Sequence, residues 1–102
     1  MSNPLIVNGA DGETGERGEQ FLAGTDKIRV RVWEGEDAGV VAPDHSNEYD
    51  YVAYVLSGVL KVHVGDEGPT EVRAGDSYAV PAGVSYGFEV VEAAKVVEAV
   101  TL

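Results

Sequence analysis

The sequence predicts an all-β chain, folded as an antiparallel sandwich or small barrel with minimal helix. Three observations carry that expectation. Apolar residues alternate with polar ones at period two in several short runs. Glycine and proline break those runs at close intervals, with 13 Gly and 4 Pro among 102 residues. No segment repeats its apolar residues at helical spacing, and the 18 valines favour strands.

Residues 8–20 hold four glycines among acids and read as an irregular segment. They resemble a phosphate loop only in glycine content, since no Gly-Lys-Ser/Thr follows and the acids would repel phosphate. The first clear strand runs from Ile28 to Trp33. If Ile28, Val30 and Val32 point inward, Arg31 and Trp33 face outward as candidate interface residues. Gly39 to Ala42 is a short apolar strand ended by Pro43. Tyr51 to Leu56 and Val59 to Val64 read as a hairpin about a tight Ser57-Gly58 turn. In the second of these, Leu60, Val62 and Val64 share one face, and Lys61 and His63 share the other. Thr70 to Arg73 and Ser77 to Val80 are further short strands, and residues 84–91 and 94–101 form a last pair. The count is seven to nine strands, with residues 1–20 as an N-terminal arm and 21–102 as the folded body.

Charge narrows the partners. There are 18 Asp plus Glu against 7 Lys plus Arg, a net −11 at pH 7, and both halves of the chain are acidic. Nucleic acid needs a basic face, so no nucleic-acid partner is expected. Anionic membrane surfaces are disfavoured for the same reason. The chain has no cysteine, which removes disulfides, thiolate catalysis and zinc–thiolate sites. Residues 1–7 lack the basic region of a signal peptide, and no apolar run is long enough to span a bilayer. A cytoplasmic location is the expectation.

The stretch from Pro43 to Glu89 carries a resemblance. His45, Asn47, Tyr51 and Gly58 match the spacing of the first cupin motif. Gly75, Pro81, Gly83 and Tyr86 match the second. The chain therefore resembles the cupin family, and in particular small single-domain cupins of the pectin-degradation and polyketide-cyclase-like types. The resemblance implies an antiparallel jelly-roll barrel over residues 21–102. It also implies a homodimer packed sheet on sheet, with residues 5–7 as a candidate exchanged strand.

Family metal sites resemble three histidines and one carboxylate on the inner wall. Of those positions only His45 keeps its ligand. Asn47 is a weak neutral ligand, and Tyr51 and Tyr86 would have to lose protons to bind strongly. No metal or other cofactor is therefore expected. A shifted set of His45 with Glu48 or Asp50, near Asp44, is the metal-dependent alternative. By the resemblance, Tyr51 and Tyr86 point inward and close to each other. With His45 and Asn47 they either line a small-molecule pocket or fill the interior, which would make the protein structural or regulatory. Tyr49 and Tyr54 read as rim or interface positions, and His63 as a surface residue.

The expected function is binding of a small organic molecule by His45, Asn47, Tyr51 and Tyr86. His45 could act as general base or acid, and Tyr51 or Tyr86 as proton donor or oxyanion stabiliser. Such a set suits isomerisation, enolisation, cyclisation or elimination on a small carbonyl compound. Dioxygenase chemistry needs a redox metal and is the least expected class.

Overall fold

A computed structural model of the chain describes residues 5–15, 18–35 and 37–102. Residues 1–4 and 16–17 of the expected arm lie outside the described residues. A single 3-10 turn covers Gly9–Asp11, and the other elements described are strands. They are β1 (Glu13–Thr14), β2 (Gln20–Gly24), β3 (Ile28–Gly35), β4 (Val41–His45), β5 (Tyr51–Val64), β6 (Glu67–Arg73), β7 (Ser77–Val80) and β8 (Tyr86–Thr101).

All the pairings are antiparallel, in the order β1-β2-β3-β8-β5-β6. Two strands branch from that path: β4 pairs with β8, and β7 pairs with β5. This corrects the expected jelly-roll barrel. Closure requires every edge strand to find a partner around the ring. Here β1 and β6 end the path without pairing with each other, so the sheet is open.

The two longest strands organise the rest. Residues 51–64 are one continuous strand, so Ser57-Gly58 is an irregularity within it and not a hairpin turn. The register against β8 shifts between Val55 and Leu60. Buried positions move with it, from Tyr51, Ala53 and Val55 before the irregularity to Leu60 and Val62 after it. An inserted residue changes which face the alternation serves. Gly58 makes this possible. Its φ is +83°, and a Cβ there would stand 2.1 Å from the Ala93 carbonyl oxygen. Likewise residues 86–101 are a single strand, where the sequence predicts a pair. Val55, Leu60, Val80, Val90 and Val96 are fully buried and form the centre of the core.

Strand β3 inverts its expected orientation. Ile28 and Val30 are 46% and 36% exposed. Arg31 and Trp33 turn inward instead, Trp33 packing on the core. The physical reason lies in the partner strand. Arg31 stands directly opposite Glu98 of β8 and forms an ion pair with it. A buried charge is tolerated only when paired, and this pair fixes which face of β3 points in. The Gly-rich segment also differs from its expectation. It contributes β1 and the first residue of β2, a strand absent from the sequence-based reading.

Candidate functional site

From His45 onward the chain alternates sides. His45, Asn47, Tyr49 and Tyr51 are partly or fully buried, whereas Asp44, Ser46, Glu48 and Asp50 are exposed. Backbone contacts hold the segment in place. The Gly83 amide donates to the Asn47 carbonyl at 2.8 Å, and the Ala82 amide donates to Asp50 Oδ1 at 2.7 Å. The Pro81–Gly83 turn and the 46–50 segment thus brace each other. His45 is the register partner of Tyr86 across the β4–β8 ladder.

These inward side chains line a cavity of about 440 Å³. His45, Asn47, Tyr51 and Tyr86 all contribute to its wall. The two tyrosines meet edge to face with centroids 5.5 Å apart, and they do not fill the interior. His45 packs on Tyr86 at 4.3 Å between centroids. Asn47 Nδ2 donates to the Tyr86 hydroxyl oxygen at 3.0 Å.

Protonation follows from these contacts. His45 Nδ1 lies 3.0 Å from the Pro43 carbonyl oxygen. A carbonyl only accepts, so Nδ1 carries the hydrogen and the neutral ring holds its lone pair on Nε2. Burial pushes the Tyr51 phenol far above its ordinary range, and its neighbours Tyr78, Glu98 and Tyr86 add to that shift. Tyr78 is also raised, chiefly by burial. Both phenols therefore keep their protons.

The shifted metal set is not brought together. Asp44 pairs with His63, Asp50 holds the Ala82 amide, and Glu48 is on the exposed side. Among the described residues no three His, Cys, Asp or Glu side chains converge on a point where a metal could sit. The cavity holds one imidazole, His45, and the carboxylates of Glu19 and Glu98, of which Glu98 is already engaged by Arg31, so its donors do not make a transition-metal set. His63 does not line the cavity.

Sequence reasoning missed most of the wall. Arg31, Trp33, Tyr78, Phe88 and Glu98 face the cavity, with Glu19 and Phe21 from the segment around β2. Tyr49, expected at the rim, is also in the wall. Trp33 and Phe88 meet edge to face at 4.9 Å. The available signal was weak, since Arg31 and Glu98 are each one of several charged residues in their strands, β3 and β8.

The comparisons with known proteins agree with this architecture. A family model described as Cupin domain matches residues 29–101. The structure is similar to KdgF from Halomonas sp., at 22% identity and a TM-score of 0.78, covering 94% of this chain and 93% of that one. It is similar to an RmlC-like cupin from Shewanella frigidimarina, at 22% identity and a TM-score of 0.84, covering 98% and 92%. It is also similar to a chain from the DMSP lyases RdDddP and RnDddQII, at 18% identity and a TM-score of 0.76, covering 83% of this chain and 47% of that one. No curated protein matches the sequence. Among the described residues, no helix is long and apolar enough to cross a membrane.

Proposed function

This chain belongs to the cupin family, and we propose that its cavity binds a small carbonyl compound and moves protons on it by metal-free acid–base chemistry. One observation carries the reading: His45 and Tyr86 lie 4.3 Å apart, ring to ring, in the wall of an open cavity. With Nδ1 tied to Pro43, His45 Nε2 serves as the base that takes a proton from the carbon beside the carbonyl. The C–H electron pair moves into the new carbon–carbon double bond, and the carbonyl π electrons move onto oxygen. Because Tyr86 accepts from Asn47, its own hydrogen is directed to another acceptor, the developing enolate oxygen. Tyr51, held un-ionised by burial, is a second donor. Return of the proton to a different carbon gives isomerisation, and loss of a β-substituent gives elimination.

The test is exchange of α-protons. A small uncharged ketone such as acetophenone is incubated with the protein in D2O and followed by proton NMR. Exchange above the buffer rate, lost in His45→Ala, supports the reading. Exchange at the buffer rate, or exchange indifferent to His45→Ala, overturns it.

A homodimer is the second part of the proposal. Val30, Ala99, Val52 and Ala79 form one cross-strand row over β3, β8, β5 and β7. Val32, Val97, Tyr54 and Ser77 form the next. Neither row contains a charge, although a quarter of the chain is charged. With strands ~4.8 Å apart, the two rows make a patch of a few hundred Å². Exposed Ile28 and Leu56 extend it toward the ~800 Å² per partner that a stable dimer buries. Near this patch the Glu34–Lys95 pair is neutral in sum, which gives no steering to an oppositely charged partner. A second copy, carrying the same −11, meets least repulsion here.

A further inference from the structure

Arg31 of β3 and Glu98 of β8 are register partners whose side chains turn into the cavity. Arg31 Nε donates to Glu98 Oε1, and Arg31 Nη1 donates to the Tyr49 hydroxyl at 3.2 Å. The guanidinium also lies over the rings of Tyr49 and Tyr51, 5.5 Å and 5.3 Å from their centroids. The two side chains are only 14% and 10% exposed. Among the described residues of the wall, Arg31 is the only Lys or Arg. Burial pushes the Glu98 carboxyl up from its ordinary range, Arg31 opposes that shift, and Glu19 adds to it.

We infer that the Arg31–Glu98 pair sets the charge of the ligand: the cavity takes an uncharged, ring-bearing compound and rejects a carboxylate. This inference rests on the reading of the cavity as a small-molecule site. A carboxylate entering the cavity finds its natural partner already engaged with Glu98, Tyr49 and two aromatic faces. To reach the guanidinium it must displace Glu98, which leaves a buried carboxylate without its counter-charge. If it does not, it sits beside Glu98 and Glu19 in the field of a chain carrying −11. A cation that pairs with Glu98 must likewise displace Arg31. An uncharged ligand disturbs neither. The remaining wall favours flat rings, through two aromatic groups, Trp33 with Phe88 and Tyr51 with Tyr78 and Tyr86. The pair is therefore a specificity device, and the acid–base step belongs to other residues.

Benzamide and benzoate test this, since they are nearly the same shape and differ in charge. Trp33 is the single tryptophan and lies in the wall, so its fluorescence reports occupancy. Titration of the wild-type chain should give benzamide an affinity at least about ten-fold above that of benzoate, as expected for an unpaired charge in a buried site. Glu98→Gln releases Arg31, and benzoate should then gain at least about ten-fold while benzamide changes little. If Glu98→Gln does not fold, the wild-type comparison decides alone. Benzoate binding as tightly as benzamide to the wild type overturns the inference and leaves the cavity a binding site. Equal affinities for benzoate in the wild type and a folded Glu98→Gln also overturn it. Binding of neither probe at millimolar concentration overturns it too, and with failed α-proton exchange would remove the proposed function as well.

Discussion

Asp44 and His63 meet across β8, with Oδ1 and Nε2 2.7 Å apart, although β4 and β5 flank that strand on opposite edges. They meet over Gly87, the register partner of His63. A Cβ at Gly87 would lie 2.6 Å from Asp44 Oδ1 and 2.7 Å from His63 Cε1. Only a residue without a side chain leaves room for the pair.

Two glycine substitutions should therefore differ sharply. In Gly87→Ala the obstructed atoms are the ends of side chains, which can swing aside, so the Asp44–His63 contact is lost at a cost within about 1 kcal/mol. In Gly58→Ala the obstruction is the backbone of Ala93 and Ala94 and the φ is positive, so the cost should reach about 3 kcal/mol or more. Urea denaturation of both variants checks the ranking, and equal losses would refute it.

Leu60 is fully buried at the point where β5 resumes its alternation. Leu60→Ala should destabilise by about 2–5 kcal/mol through lost transfer energy and the cavity left behind. A loss below about 1 kcal/mol in denaturant melts would mean that Leu60 is not central to the core.

Tyr51 and Tyr78 hold their protons above the ordinary phenol value. The sign follows from linkage. The folded state keeps protons that the unfolded state releases, so this contribution is complete below about pH 10 and is lost as pH rises past it. Tyrosinate absorbance from these two residues should appear only together with loss of the β-sheet circular dichroism signal. Tyr51→Phe and Tyr78→Phe should each remove part of that late absorbance. Full titration of all five tyrosines with the fold intact would contradict the assignment.

The acid–base roles separate by variant. His45→Ala should lower ketone exchange by about 10²–10⁴-fold. Asn47→Ala, which only orients the Tyr86 hydroxyl, should cost less than His45→Ala, and Tyr86→Phe should lower kcat more than it changes KM. A Tyr86→Phe variant with unaltered kcat would remove the hydroxyl from the mechanism.

For the dimer, Val52→Asp places a charge in the centre of the uncharged face and away from the cavity wall. Sedimentation equilibrium should show a wild-type dimer and a Val52→Asp monomer with unchanged circular dichroism. A wild-type monomer at tens of micromolar, or a dimeric Val52→Asp, would dismiss this face.

How much was legible in the sequence depends on what each residue's environment is made of. His45, Asn47, Tyr51 and Tyr86 could be placed in one wall only through the resemblance to the cupin motifs, whose scaffold positions Gly58, Gly75, Pro81 and Gly83 the chain keeps. The orientation of β3 was not legible, because its alternation offers valine on one face and Arg31 with Trp33 on the other. Hydrophobicity ranks valine inside, and only the partner strand reveals that Glu98 awaits Arg31 there. The continuity of β5 was hidden by Ser57-Gly58, a dipeptide that serves a hairpin as readily as an irregularity. Openness of the sheet is a property of which edges meet, and no local pattern carries it. The same holds for β2, whose apolar residues follow a glycine-rich stretch.

β8 follows the other described strands in sequence and joins three of them. It pairs with β3, β4 and β5, whose residues lie tens of positions earlier. During synthesis, β3 and β5 have no neighbour between them until residues 86–101 emerge. Until then one edge of β3 and one edge of β5 lack the strand that the fold places there, although β2, β6 and β7 can already pair along their other edges. Such non-local pairing places folding in the slow, millisecond-to-second range and makes the interval before β8 the period of greatest exposure to aggregation.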